Sequence, residues 1–138
     1  MARSIASIAI GDVVTPHSLP LTSQRLVMIA ASNRDFAPIH YDTRIARESG
    51  ADDAFGNLMF VMTMIEKTLI TWAGTGAVLR AVEHMRMTGF NRRGDTVICR
   101  GEVTTIDTET GLVGLDVWLE TASDRRTATA HAVIELVV

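Results

Sequence analysis

Asn57-Leu58-Met59-Phe60-Val61-Met62-Thr63-Met64-Ile65-Glu66-Lys67-Thr68-Leu69-Ile70-Thr71-Trp72-Ala73 is the longest apolar segment of the chain, and Gly74 and Gly76 close it. It is far longer than a typical strand of roughly 5–6 residues. Its methionines and leucines are good helix formers, so it reads as one helix buried around much of its girth. Only Glu66, Lys67 and Thr68 mark a wet side. Such a helix needs apolar cover on most of its surface, and the rest of the chain must provide it.

Beyond Gly76 the apolar period changes to two. Val78 to Met87, Thr96 to Ile106, Leu112 to Thr121 and Thr127 to Val137 read as strands, separated by turn-like Asn91 to Asp95, Asp107 to Gly111 and Ala122 to Arg126. Upstream, Thr22 or Ser23 caps a short helix that stops near Ser32 or Asn33, and Asp42 caps another ending near Gly50. Strands that follow one buried helix give an α+β order, with an antiparallel sheet curled around that helix. The 138 residues, 47% of them hydrophobic, suit a single domain spanning 1–138 and leave too little chain for two cores.

Composition narrows the partners. The net charge is −3, with 13 basic and 16 acidic residues scattered along the chain, so no tract is suited to a run of phosphates and nucleic acid is not an expected partner. No stretch approaches the roughly 20 apolar residues that span a bilayer, and Met1 to Gly11 lacks a continuous apolar core, so neither a membrane anchor nor an export signal is expected. Cys99 is the only cysteine, which suits a reducing cytoplasm and an ordinary strand residue. No His or Cys pair stands at ligand spacing, so no metal is expected.

Chemistry is most legible between Asn33 and Tyr41. Pro38 pushes Ala37 toward an extended conformation and narrows the path of the loop that carries Asp35 and His40. A carboxylate and an imidazole held together divide the work of a proton transfer: the histidine exchanges its proton near neutral pH while the aspartate orients water or stabilises imidazolium. As a bare spacing, a turn aspartate and a backbone-satisfied histidine would look the same.

The wider pattern separates the two. Asn33-Arg34-Asp35-Phe36-Ala37-Pro38-Ile39-His40 resembles the Asp-x-Asn-Pro-x-His signature loop of MaoC-like enoyl-CoA hydratases. The likeness continues through Ala46, through Phe55-Gly56-Asn57-Leu58-Met59 where the family's long helix begins, and through the strand-opening turn Arg92-Arg93-Gly94-Asp95-Thr96-Val97. It implies a hot-dog fold and a hydro-lyase that adds water to a 2-enoyl-CoA or removes it from a 3-hydroxyacyl-CoA, with Asp35 and His40 as catalytic pair. It implies no cofactor beyond the coenzyme A of the substrate. Gly56 and Asn57, at the helix mouth, are candidate donors to the thioester oxygen, although Gly56 equally suits a close approach of backbone elements. Arg92 and Arg93 are candidate contacts for the coenzyme A phosphates and equally a solvated face, as are Arg80 and Arg86.

The sequence departs from the family pattern at several points. Ala37 stands in place of the signature Asn, Asn33 and Arg34 replace a small pair, Phe55 and Asn57 flank Gly56 where His and Met are common, and Val61 takes the place of a hydroxyl. Arg34-Asp35-Phe36, His40-x-Asp42 and Trp72-Ala73-Gly74 are similar to the small subunit of heteromeric members acting on steroid side-chain enoyl-CoAs. That likeness implies a bulky acyl group and a second MaoC-like subunit. Otherwise a homodimer or higher assembly is expected to close the open sheet edge, with the acyl tunnel near the interface. Two other functions remain open: a hot-dog thioesterase, for which Glu66 is the one acid on the long helix, and a non-catalytic acyl-binding subunit. His17 reads as part of a mobile Pro-flanked segment, His84 and His131 as satisfied strand residues, Trp72 and Trp118 as structural, and the Met group as core packing.

Overall fold

Asn57 starts the long helix by accepting the Phe60 amide on its side chain, and Gly74, at φ 85°, stops it in a backbone conformation that favours glycine. In the computed structural model, which describes residues 2–123 and 125–136, this helix, α3, spans Leu58–Ala73. Before it come β1 (His17–Pro20), α1 (Ser23–Ser32) and α2 (Thr43–Glu48). After it come β2 (Val78–Met87), β3 (Thr96–Asp107), β4 (Leu112–Thr121) and β5 (Arg126–Glu135). The expected end of the last strand at Val137 lies outside the described residues.

The strands form one antiparallel sheet in the order β1-β3-β4-β5-β2. Period-two alternation places Val97, Cys99 and Val103 on the inner face beside Leu115, Val117 and Leu119, and β5 adds Ala128, Ala132 and Ile134. Against them lie Val61, Met64, Ile65, Leu69 and Trp72 of α3, all buried in the same cluster. Each large side chain fully withdrawn from water in this way contributes about 1.5–3 kcal/mol. This is the expected α+β hot-dog arrangement, a sheet curled around one helix.

Two expectations need correction. Thr68 does not mark the wet side: it is 2% exposed, and its hydroxyl donates to the Met64 carbonyl at 2.6 Å. A threonine satisfied by its own helix is tolerated in a core. It also faces Cys99, whose thiol burial pushes up to about 11. The wet face instead carries Met59, Thr63, Glu66, Lys67 and Thr71. Nor is His17 in a mobile segment, because it pairs with Cys99 at the start of β1, an edge strand whose Pro20 removes one donor without breaking a central ladder.

The opposite edge strand, β2, is bulged between Leu79 and Ala81 and between Glu83 and Arg86. His84 lies in this strand as expected, exposed and in the second bulge at φ 52°. His131 does lie in a regular strand and contacts Asp116 at 3.1 Å. No described helix is long and apolar enough to cross a membrane.

Candidate active site

The end of α1 fixes Asp35. Arg34 occupies the left-handed region at φ 54° and donates its amide to Ala31, while the Asp35 amide reaches back to the Ala30 carbonyl at 2.9 Å. This closes the helix in the manner of a Schellman cap, with arginine where glycine is usual. The chain then runs extended through Ala37, as Pro38 requires, into a 3-10 turn over Pro38–His40. Asp42 caps α2 through the Arg44 and Ile45 amides. A small second core of Ala46, Ala51 and Phe55, with Ile39 against it, holds the loop from beneath.

His40 is 7% exposed and is held at both ring nitrogens. Nδ1 lies 2.9 Å from the Phe55 carbonyl, an acceptor, so Nδ1 carries the hydrogen and donates. Nε2 then faces Asp35 Oδ2 at 3.1 Å. Neutral imidazole nitrogen and ionised carboxylate oxygen are both acceptors, so this contact is a place for one exchangeable proton. The Phe55 ring packs edge-on against the imidazole, with centroids 5.2 Å apart and planes at 83°. Phe55 is itself held by an isolated bridge to Arg92 and by Phe90, 4.3 Å away. Phenylalanine in place of the commoner histidine therefore leaves the carbonyl that orients His40 intact.

Asp35 is more open, with a side chain 38% exposed. Its pKa lies below the usual carboxylate value chiefly because the Asn57 side-chain amide donates to Oδ2 at 2.9 Å. Partial desolvation opposes this, while the Ala37 amide and the charge of His40 add to it. The aspartate is thereby kept ionised at neutral pH.

Sequence reasoning missed the part that the Asn57 side chain plays. Its Oδ1 accepts the Phe60 amide at 3.0 Å, capping α3, and accepts from Asn33 Nδ2 at 3.3 Å, which leaves Nδ2 to hold Asp35. An Asn at the start of an apolar helix signals a cap, and nothing in its spacing reveals that the other half of the amide reaches a residue on another loop.

This geometry sets an expected result. Asn57→Ala should cost about 1 kcal/mol through the lost cap and lower kcat by about 10- to 100-fold through a misplaced carboxylate. With its main lowering influence gone, the Asp35 pKa rises, so the acid limb of the kcat/KM profile should move to higher pH. An unmoved acid limb would show that Asn57 acts through folding alone.

Of the two candidate donors at the helix mouth, Gly56 is already engaged, its amide donating to the Asn91 carbonyl at 2.9 Å. The reason for glycine there is steric, since a β-carbon would stand 2.7 Å from Cδ1 of the buried Phe60 ring. Gly56→Ala should therefore destabilise by about 1–3 kcal/mol through overpacking, read as a lowered Tm. The Asn57 backbone amide has no protein acceptor among the described residues, so it remains a donor at the mouth. Arg92 pairs with Asp52 and Asp95, and Arg93 with Asp53 at 3.0 Å, so both arginines close a charged turn rather than stand free.

A carboxylate and an oriented imidazole sharing one proton position, beside a helix mouth that offers an amide, form a site for adding or removing water next to a carbonyl. The family model described as "FAS1-like, dehydratase domain region" matches residues 8–134. The chain belongs to the MaoC-like dehydratase family. A member from Mycobacterium tuberculosis (strain ATCC 25618 / H37Rv), the beta subunit of 3-oxo-4,17-pregnadiene-20-carboxyl-CoA hydratase, is 30% identical over 107 residues, 77% of this chain and 81% of that one. Among solved structures, the ChsH1-ChsH2 complex from Mycobacterium tuberculosis superposes with a TM-score of 0.86 at 25% identity, covering 94% of this chain and 98% of that one. The (R)-hydratase from A. caviae involved in PHA biosynthesis shares the fold, with a TM-score of 0.87 at 20% identity over 95% of this chain and 98% of that one. This MaoC-like chain is a hydro-lyase.

Proposed function

We propose that this chain catalyses reversible hydration of 2-enoyl-CoA thioesters, with Asp35 and His40 dividing the proton transfers. One observation carries the assignment of residues: His40 Nδ1 is tied to a carbonyl while Nε2 meets Asp35 Oδ2 at 3.1 Å. Water entering this contact gives up a proton to the pair as its oxygen bonds to C3. The double-bond electrons move toward the thioester, placing negative charge on its oxygen. The pair then returns a proton to C2, and dehydration follows the same path in reverse. The Asn57 amide and the dipole of the first turn of α3 meet the charge on the thioester oxygen. These steps call on no cofactor beyond the substrate's own coenzyme A.

A bulky acyl group is part of the proposal, supported by the 30% identity to a hydratase subunit named for a polycyclic thioester. So is an assembly of at least two hot-dog subunits, alike or different, joined near the bulged edge strand β2 and the exposed side of α3, where Leu58 and Met59 are about half exposed. We place the protein in a reducing cytoplasm, in keeping with its single, buried Cys99. A thioesterase is disfavoured because Glu66 makes no hydrogen bond to the pair and lines an open groove with Thr63, Lys67, Ile70 and Thr71.

The test is hydration of short, long and polycyclic trans-2-enoyl-CoAs, followed by loss of the conjugated thioester's ultraviolet absorbance. Turnover of any of them supports the proposal, and the preferred one sets the acyl class. Failure on all of them, with the chain alone and with its co-purified partner, contradicts it.

A further inference from the structure

Lys67 is the only lysine of the chain, and it interrupts the longest apolar helix. It makes no ion pair among the described residues, although most arginines are engaged by acids, carbonyls or aromatic rings. Exposed, it lines both the open groove beside Glu66 and a cavity of about 180 Å³ between β1, α1 and α3 whose apolar walls are Leu19, Ile29, Phe60 and Met64. Asn33 lines the same cavity and hydrogen-bonds Asn57, which holds Asp35, so one end lies two hydrogen bonds from Asp35. Along α3, Lys67 lies seven positions beyond Phe60, about 10 Å farther from the helix mouth at 1.5 Å per residue. His17, Ser32, Asn33 and Thr63 add polar atoms between these apolar walls.

An acyl-binding cavity for a plain hydrocarbon tail would have nothing to gain from an ammonium group, which must stay hydrated or find an acceptor. We propose that this cavity receives the acyl chain and that Lys67 selects acyl groups bearing an oxygen acceptor, carbonyl or carboxylate, at the end remote from the thioester. The selection rests on the hydratase reading for the orientation of the acyl group. The apolar walls take the intervening carbon skeleton, and the ammonium donates to the terminal oxygen. Charge assistance makes a carboxylate the stronger ligand and a ketone the weaker one.

Binding and turnover separate the two ideas. Calorimetry with three saturated acyl-CoAs of equal length, ending in methyl, methyl ketone or carboxylate, compares the wild-type protein with Lys67→Met, a substitution of similar length on an exposed helix face. The wild type should bind the carboxylate form about tenfold or more tightly than the methyl form, with the ketone between them. Lys67→Met should reverse that order by weakening the carboxylate form and strengthening the methyl form. Equal affinities in the wild type, tighter binding of the methyl form, no binding of any, or an unchanged order in Lys67→Met would overturn the proposal. The matching enoyl-CoAs test the hydratase reading separately: discrimination in binding without turnover sinks that reading, and turnover without discrimination sinks the role of Lys67.

Discussion

His40→Ala is expected to lower turnover of a 2-enoyl-CoA by about 10²- to 10⁴-fold, the range typical of a lost general acid–base group. The imidazole is the member of the pair held at both ring nitrogens, by the Phe55 carbonyl and by Asp35. No other histidine contacts Asp35 among the described residues, and His17, on a neighbouring strand, has no hydrogen bond to it. The substitution also leaves the Phe55 carbonyl without its donor and opens a small void beneath the loop. A stability loss of about 1–3 kcal/mol accompanies an orphaned buried acceptor. Tm measured beside kcat separates the two effects, because a folded variant with full activity would remove His40 from the chemistry.

Asp35→Asn should produce a loss of similar size by a different route. The replacement keeps the shape of the side chain, and its carbonyl still accepts from Asn57, so the fold is expected to survive. What disappears is the negative charge that, in the proposed mechanism, receives the proton of water and steadies the imidazolium. The wild-type carboxylate, with its pKa lowered in the folded state, contributes stability that is present above its unfolded value and lost as pH falls through the folded value. Asp35→Asn should therefore also flatten the part of the stability profile below about pH 4. Since both groups handle one proton, Asp35→Asn/His40→Ala should fall little below the slower single variant. Fully additive losses would mean that the two act in separate steps.

Much of the architecture was legible from periodicity. The apolar run after Asn57, its glycine stop and the alternating segments after Gly76 each carry a local signal that tertiary packing reinforces. β1 was not legible, because four residues containing Pro20 have little period to read and owe their conformation to pairing with β3. Thr68 was misplaced because a hydroxyl satisfied by its own helix looks, in sequence, like one facing water.

The site divides in the same way. Asp35 and His40 could be paired in sequence because they lie on one short loop, and the structure brings them into direct contact. The roles of Gly56 and Asn57 depend on what approaches them from elsewhere: the Phe60 ring and the Asn91 carbonyl for one, and Asp35 and Asn33 for the other. The acids that engage Arg92 and Arg93, Asp52 and Asp53, lie 40 residues earlier. Long-range pairing of this kind leaves no trace in local spacing.

The most direct measurement follows one trans-2-enoyl-CoA under the wild-type protein, recording the ultraviolet absorbance of the conjugated thioester and the release of free thiol in the same sample. The absorbance is expected to fall to an equilibrium value while no thiol appears, as water adds at C3 and the thioester survives. Thiol release at the rate of absorbance loss would assign thioester cleavage instead, and a steady absorbance would contradict hydration by this chain.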